Sequence, residues 1–106
     1  MEKLAFTFDG GAPGDGTRAA CIVGVLASGN LEVLIEPQAS TRACTIEVNT
    51  AAHGFRAIWQ AVMDDFFARH PVGGMRISIN DAGATPAIVS LRLDQAIEAY
   101  LRAGPA

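Results

Sequence analysis

Three residues, Ser28-Gly29-Asn30, interrupt two apolar runs, Cys21-Ile22-Val23-Gly24-Val25-Leu26 and Leu31-Glu32-Val33-Leu34-Ile35-Glu36. That layout commits the middle of the chain to a β-hairpin. Glycine reaches the positive φ that tight two-residue turns need, and Ser-Gly and Gly-Asn are both strong turn pairs. A turn at Ser28-Gly29 and a turn at Gly29-Asn30 leave the same residues on the same face, so periodicity does not choose between them. In the second arm Leu31, Val33 and Ile35 share one face, while Glu32 and Glu36 share the other. The sheet therefore has one buried face and one wet face. Ser28 falls at the hairpin tip, where a partner can reach its hydroxyl, a position that suits a residue to be modified.

The remaining elements follow from the same periodicities. Leu4-Ala5-Phe6-Thr7-Phe8 alternates and reads as a first strand, closed by Asp9-Gly10-Gly11, and residues 11–16 form a loop. Residues 19–27 and 31–36 are the hairpin arms, 37–41 a second loop, and Cys44-Thr45-Ile46-Glu47-Val48 another strand. Phe55, Ile58, Trp59, Val62 and Phe66 then recur at helical spacing, with Arg56, Gln60, Asp64 and Arg69 opposite. This helix ends at Arg69-His70, where basic residues suit the negative end of the dipole and Pro71-Val72-Gly73-Gly74 forbids continuation. Met75-Arg76-Ile77-Ser78-Ile79 is a last strand and Asn80-Asp81-Ala82-Gly83 a turn. Thr85 reads as an N-cap before Pro86 at the first helical position. Val89, Leu93, Ala96, Ile97 and Tyr100 make a second apolar stripe; alternation of Val89, Leu91 and Leu93 also fits a strand over 87–93, but the stripe continues at helical spacing and favours a helix. The order β-β-β-β-α-β-α predicts an α+β two-layer sandwich, a mostly antiparallel sheet with two amphipathic helices over the face of Leu31, Val33 and Ile35.

At 106 residues, half of them hydrophobic, the chain is long enough for a single globular domain over 1–106 with a real core. No apolar run approaches the roughly 18 residues of a membrane span, and the N-terminus lacks a signal-peptide layout, so a cytoplasmic location is expected. Net charge −3 with scattered basic residues leaves no nucleic-acid footprint. Cys21 and Cys44 read as small reduced residues in strands, too few for a zinc site. Gly10-Gly11-Ala12-Pro13-Gly14 lacks the lysine and hydroxyl of a phosphate-cradling loop, and neither a nucleophile elbow nor paired metal-binding histidines occur. His53 and His70, near the two ends of the first helix, read as surface or capping residues, and Asp81 as a turn stabiliser. Asp64 and Asp65 point about 100° apart and do not converge on one proton. This is not the inventory of a self-sufficient enzyme. Ser28 remains, and on pattern alone it is a turn residue.

Resemblance adds to that reading. The stretch from Gly24 through Ser28-Gly29-Asn30 to Pro37 resembles the modification site of the malonate decarboxylase acyl carrier (delta) subunits. The stretch Asn80-Asp81-Ala82-Gly83-Ala84-Thr85-Pro86 through Arg92-Leu93-Asp94-Gln95-Ala96 resembles their C-terminal part, and the length, element order and Trp59 are similar as well. The resemblance implies a non-catalytic carrier whose Ser28 is esterified to a phosphoribosyl-dephospho-coenzyme A arm, with Gly29 as the flanking turn residue. It also implies the partners: a prosthetic-group transferase, a transferase (alpha) subunit that exchanges acetyl for malonyl on the arm's thiol, and decarboxylase (beta and gamma) subunits that release carbon dioxide. No nucleic acid and no membrane is expected among them. Fatty-acid-type carriers differ, being helical bundles with Asp-Ser-Leu at a helix start, so their phosphopantetheinyl transferases should fail on this chain. Three rival readings stand beside this one: a citrate-lyase-type carrier, a non-catalytic α+β interaction module, and a hydrolase that would need His53 or His70 against Ser28. Glu32 and Glu36 are candidate docking charges.

Overall fold

Period-two alternation organises each of the four seven-residue strands, and every inward position lies on the same side of one sheet. The computed structural model describes residues 2–9, 21–23, 31–38 and 43–103. Its elements are β1 (Glu2–Phe8), β2 (Cys21–Val23), β3 (Leu31–Pro37), β4 (Cys44–Thr50), α1 (Arg56–Arg69), β5 (Met75–Asp81) and α2 (Pro86–Ala103). Leu4 and Phe6 of β1, Leu31, Val33 and Ile35 of β3, Ile46 and Val48 of β4, and Ile77 and Ile79 of β5 are buried beneath the two helices. The opposite face carries half-buried polar residues, Glu32, Glu47, Asn49, Arg76 and Asn80 among them. The architecture is the expected two-layer α+β sandwich, in the expected element order. Residues 87–93 are helical, inside α2.

The sheet is five-stranded and mixed, in the order β1-β4-β5-β3-β2. β1 with β4, β3 with β5, and β2 with β3 pair antiparallel. β4 and β5 pair parallel, which requires a crossover, and α1 supplies it. Two ends of the sheet are thereby defined. At the upper end Glu2 lies beside Thr50, Thr50 beside Asp81, and Asp81 beside Leu31. At the lower end Phe8, Cys44, Met75 and Pro37 are neighbours.

The first helix seats differently from its stripe, and the second does not. In α1, Trp59, Met63 and Phe66 point into the core. Phe55 and Ile58, read as core from their spacing, are 46% and 45% exposed. Phe55 is the cap residue rather than a helical one, and the inward line 59-63-66 runs obliquely away from it. In α2 the expected stripe holds: Val89, Leu93, Ala96, Ile97 and Tyr100 are all buried. Thr85 caps this helix, its Oγ1 accepting the Ile88 N–H at 3.3 Å, with Pro86 as the first helical residue. Thr85→Ala should therefore lower stability by about 0.5–1 kcal/mol in urea unfolding, with an unchanged m-value.

At the lower end the helices are clasped. Asp94 of α2 accepts from Arg69, and its Oδ1 lies 3.2 Å from His70 Nε2. Arg69 also donates to Asp65, and Asp64 accepts from Gln60, so the adjacent aspartates have separate surface partners. Such exposed pairs add at most about 1 kcal/mol each.

Cys44 is a buried free thiol, whose pKa burial pushes up to about 12. Its folded pKa lies above the ordinary value of 9.0, so the unfolded chain releases this proton first as pH rises. The stability it lends is intact below pH 9.0 and is lost between there and about 12. In a Cys21→Ser background, alkylation at neutral pH should be negligible in the native protein and complete in denaturant. Fast native labelling would show that the thiol is accessible after all.

Candidate functional site

Ser28 and Gly29 belong to the connection 24–30, which lies outside the described residues. The strands it joins pair as hairpin arms do, β2 and β3 being antiparallel neighbours with Val23 opposite Val33; of the expected first arm, 19–27, residues 19–20 and 24–27 lie outside the described residues. Ser28 is equidistant along the chain from those two residues. β3 begins at the upper end of the sheet, where Leu31 lies beside Asp81, and Arg92 of α2 donates to the Leu31 carbonyl at 3.5 Å. The upper end is therefore where the connection leaves and rejoins the fold.

Two polar residues organise that end. Thr50 and Asp81 follow Ile46-x-Val48 and Ile77-x-Ile79 in the inward register, so both are turned into the core side of the sheet and buried. A buried carboxylate is costly unless satisfied, and this one is. Asp81 Oδ2 accepts from Thr50 Oγ1 at 2.8 Å, and Oδ1 accepts from the N–H groups of Gly83 at 3.2 Å and Ala84 at 2.8 Å. Thr50 Oγ1 in turn accepts from Ala52 N–H at 3.1 Å, and the Ala51 N–H donates to the Asp81 carbonyl at 3.0 Å. The β4–α1 and β5–α2 connections are thus tied to one carboxylate. Gly83, at φ +108°, makes the backbone reversal that aims two successive N–H groups at it. The turn-stabilising role expected of Asp81 holds, but it is wider than expected, because both connections depend on it.

Between the starts of α1 and α2 these loops leave a cleft of about 280 Å³. Trp59, Val62, Ala84 and Val89 line it, with Asp81 and Gly83 at its sheet side and Phe55 and Ile58 on its rim. The exposure of the two rim residues marks this cleft, and their spacing alone read as core. Trp59 is core, as expected, and also a wall.

The other candidates divide between the two ends. His70 sits at the lower end against Asp94, away from the start of β3. His53 is exposed on the β4–α1 connection. Glu32 Oε1 accepts from Asn80 Nδ2 at 3.2 Å, near the upper end, whereas Glu36 lies opposite Arg76 toward the lower end. The two glutamates therefore do not form one patch beside the connection. Among the described residues no His, Cys, Asp and Glu cluster could hold a metal ion, and no helix is long and apolar enough to cross a membrane.

Comparison with known proteins places this geometry. Residues 18–100 match the family model of the malonate decarboxylase delta subunit (MdcD). A malonate decarboxylase acyl carrier protein of Stenotrophomonas maltophilia is 57% identical over 105 residues, covering 99% of each chain. One from Xanthomonas euvesicatoria pv. vesicatoria is 59% identical over 98 residues, covering 92% of this chain and 93% of that one. Among solved structures, a chain of a Pseudomonas malonate decarboxylase hetero-tetramer in complex with malonate superposes with a TM-score of 0.80 at 41% identity, over 94% of this chain and 99% of that one. With the sheet order, the hairpin arms and a match along almost its whole length in agreement, the chain belongs to the malonate decarboxylase delta-subunit family of acyl carrier proteins.

Proposed function

We propose that this chain is the acyl carrier subunit of a malonate decarboxylase, and that Ser28 is the residue esterified to a phosphoribosyl-dephospho-coenzyme A arm. The observation that carries the reading is the near full-length match to acyl carriers of that enzyme. Bound at Ser28, such a group supplies a thiol on which acetyl and malonyl are held as thioesters, and the thioester stabilises the charge left at the α-carbon when carbon dioxide departs.

What the chain's own residues contribute is anchorage. Ser28 provides a hydroxyl, and Gly29 removes a side chain that would crowd a phosphate beside it. β3 pairs along its full length with the central strand β5, so the base of the connection is held by an interior strand. Attachment by a separate prosthetic-group transferase leaves the base and the oxyanion donors for activating Ser28 to that enzyme. A tether raises the local concentration of the thiol at each partner site without tight binding at any of them. The partners are accordingly the transferase (alpha) and decarboxylase (beta and gamma) subunits, in keeping with the hetero-tetramer to which the structural neighbour belongs.

Intact-mass and peptide-mass analysis of protein made in its own host tests the assignment. A single large adduct on the Ser28 peptide is expected. Uniformly unmodified protein, or an adduct on another residue, contradicts it.

A further inference from the structure

We propose that the cleft between the starts of α1 and α2 is a resting site for the acyl-thioester end of the arm, and that it accepts an acetyl group while rejecting a malonyl group. The inference rests on the reading of Ser28 as the attachment residue. Position, size and charge each support it.

Position comes from the sheet. Leu31 is the direct neighbour of Asp81, and Asp81 lines the cleft. The three residues from Ser28 to Leu31 span at most about 10 Å of chain, so a group as long as a coenzyme A arm reaches the cleft from there. Size limits what enters. At about 280 Å³ the cleft is just below the range of ligand pockets, about 300 to 1,000 Å³. It takes a two-carbon acyl group on sulfur with a few atoms of its tail, and leaves the nucleotide outside.

Charge decides which acyl group. The walls Trp59, Val62, Ala84 and Val89 are apolar, and among the described residues none that lines the cleft is cationic. Asp81 contributes a carboxylate whose two oxygens are already engaged by Thr50, Gly83 and Ala84. A malonyl carboxylate brought here would lose its water, meet a like charge and find no cation in the walls. An acetyl group is neutral and gains apolar burial. Because the group is tethered, its effective concentration is in the millimolar range, so weak affinity suffices for occupancy. The consequence is directional: the malonyl form stays in solvent, available to a partner, and the acetyl product withdraws.

The experiment uses the full chain loaded by its modification enzymes, with the Ser28 adduct verified by peptide mass. Trp59 is the chain's single tryptophan and reports on the cleft through its emission. Acetyl and malonyl forms should differ in Trp59 emission. Hydroxylamine should cleave the carrier-bound acetyl thioester roughly two- to fivefold more slowly than acetyl-coenzyme A, with no such protection for malonyl. Ala84→Leu, which fills the cleft, should abolish the protection, and so should Ile58→Glu at the half-exposed rim, a change that spares the core. Equal relative cleavage of both acyl groups with unchanged emission, on carrier whose Ser28 adduct is confirmed, overturns the resting site alone. Absence of any Ser28 adduct overturns the attachment reading, and this site's occupant with it.

Discussion

Replacing Ser28 by alanine in the assembled decarboxylase should abolish malonate turnover, while the carrier keeps its fold and its place in the complex. The change removes one oxygen atom from a residue outside the buried strands β3, β4 and β5 and should cost little stability. Its functional effect is out of proportion to that. Without an anchor the acyl group becomes a freely diffusing ligand, and the advantage of tethering, roughly 10²–10⁴-fold, disappears. Steady-state carbon dioxide release by complexes reconstituted with wild-type or Ser28→Ala carrier measures this, with circular dichroism as the control for folding. Ser28→Thr is an informative companion. It restores a hydroxyl but adds a methyl group, so any activity it recovers would depend on the installing transferase.

Asp81→Ala should destabilise the fold far more than Ser28→Ala or Thr85→Ala. Truncation leaves the buried Thr50 hydroxyl and the part-buried Gly83 and Ala84 N–H groups without their acceptor. The buried hydroxyl costs about 1–3 kcal/mol and the two part-buried N–H groups less, so a total of roughly 2–4 kcal/mol is expected, a large part of the net stability of a small protein. Asp81→Asn keeps an acceptor for the two N–H groups and should cost about 1–2 kcal/mol. Chemical denaturation of the wild type and the two Asp81 variants gives the comparison. Equal midpoints for wild type and Asp81→Ala would mean that the carboxylate network does not hold the upper end together.

Much of the fold was legible because alternation is a strong signal when one face is buried. Leu31, Val33 and Ile35 declared the inward face of β3, and Thr85-Pro86 marked the start of α2. The strands run further than their apolar residues indicated. β4 continues through Asn49 and Thr50, and β5 through Asn80 and Asp81, because side-chain hydrogen bonds satisfy inward polar groups that alternation alone would exclude from a core. Strand order was illegible for a different reason. The parallel pairing of β4 and β5 depends on α1 crossing between them, and no residue pattern in either strand announces its partner. Phe55 and Ile58 misled for a third: spacing identifies a helical face but not where along the helix the sheet beneath it ends. The site divided in the same manner. Ser28 stood out by its place between two apolar runs and by resemblance, whereas the cleft arises from two loops that meet only after folding.

Radiolabelled malonate offered to the reconstituted complex addresses the carrier role head-on. Label should accumulate on this chain, be released by hydroxylamine as a thioester would be, and map to the peptide containing Ser28. Carbon dioxide release at the normal rate with no label ever found on the chain would show that the acyl group does not travel on this protein.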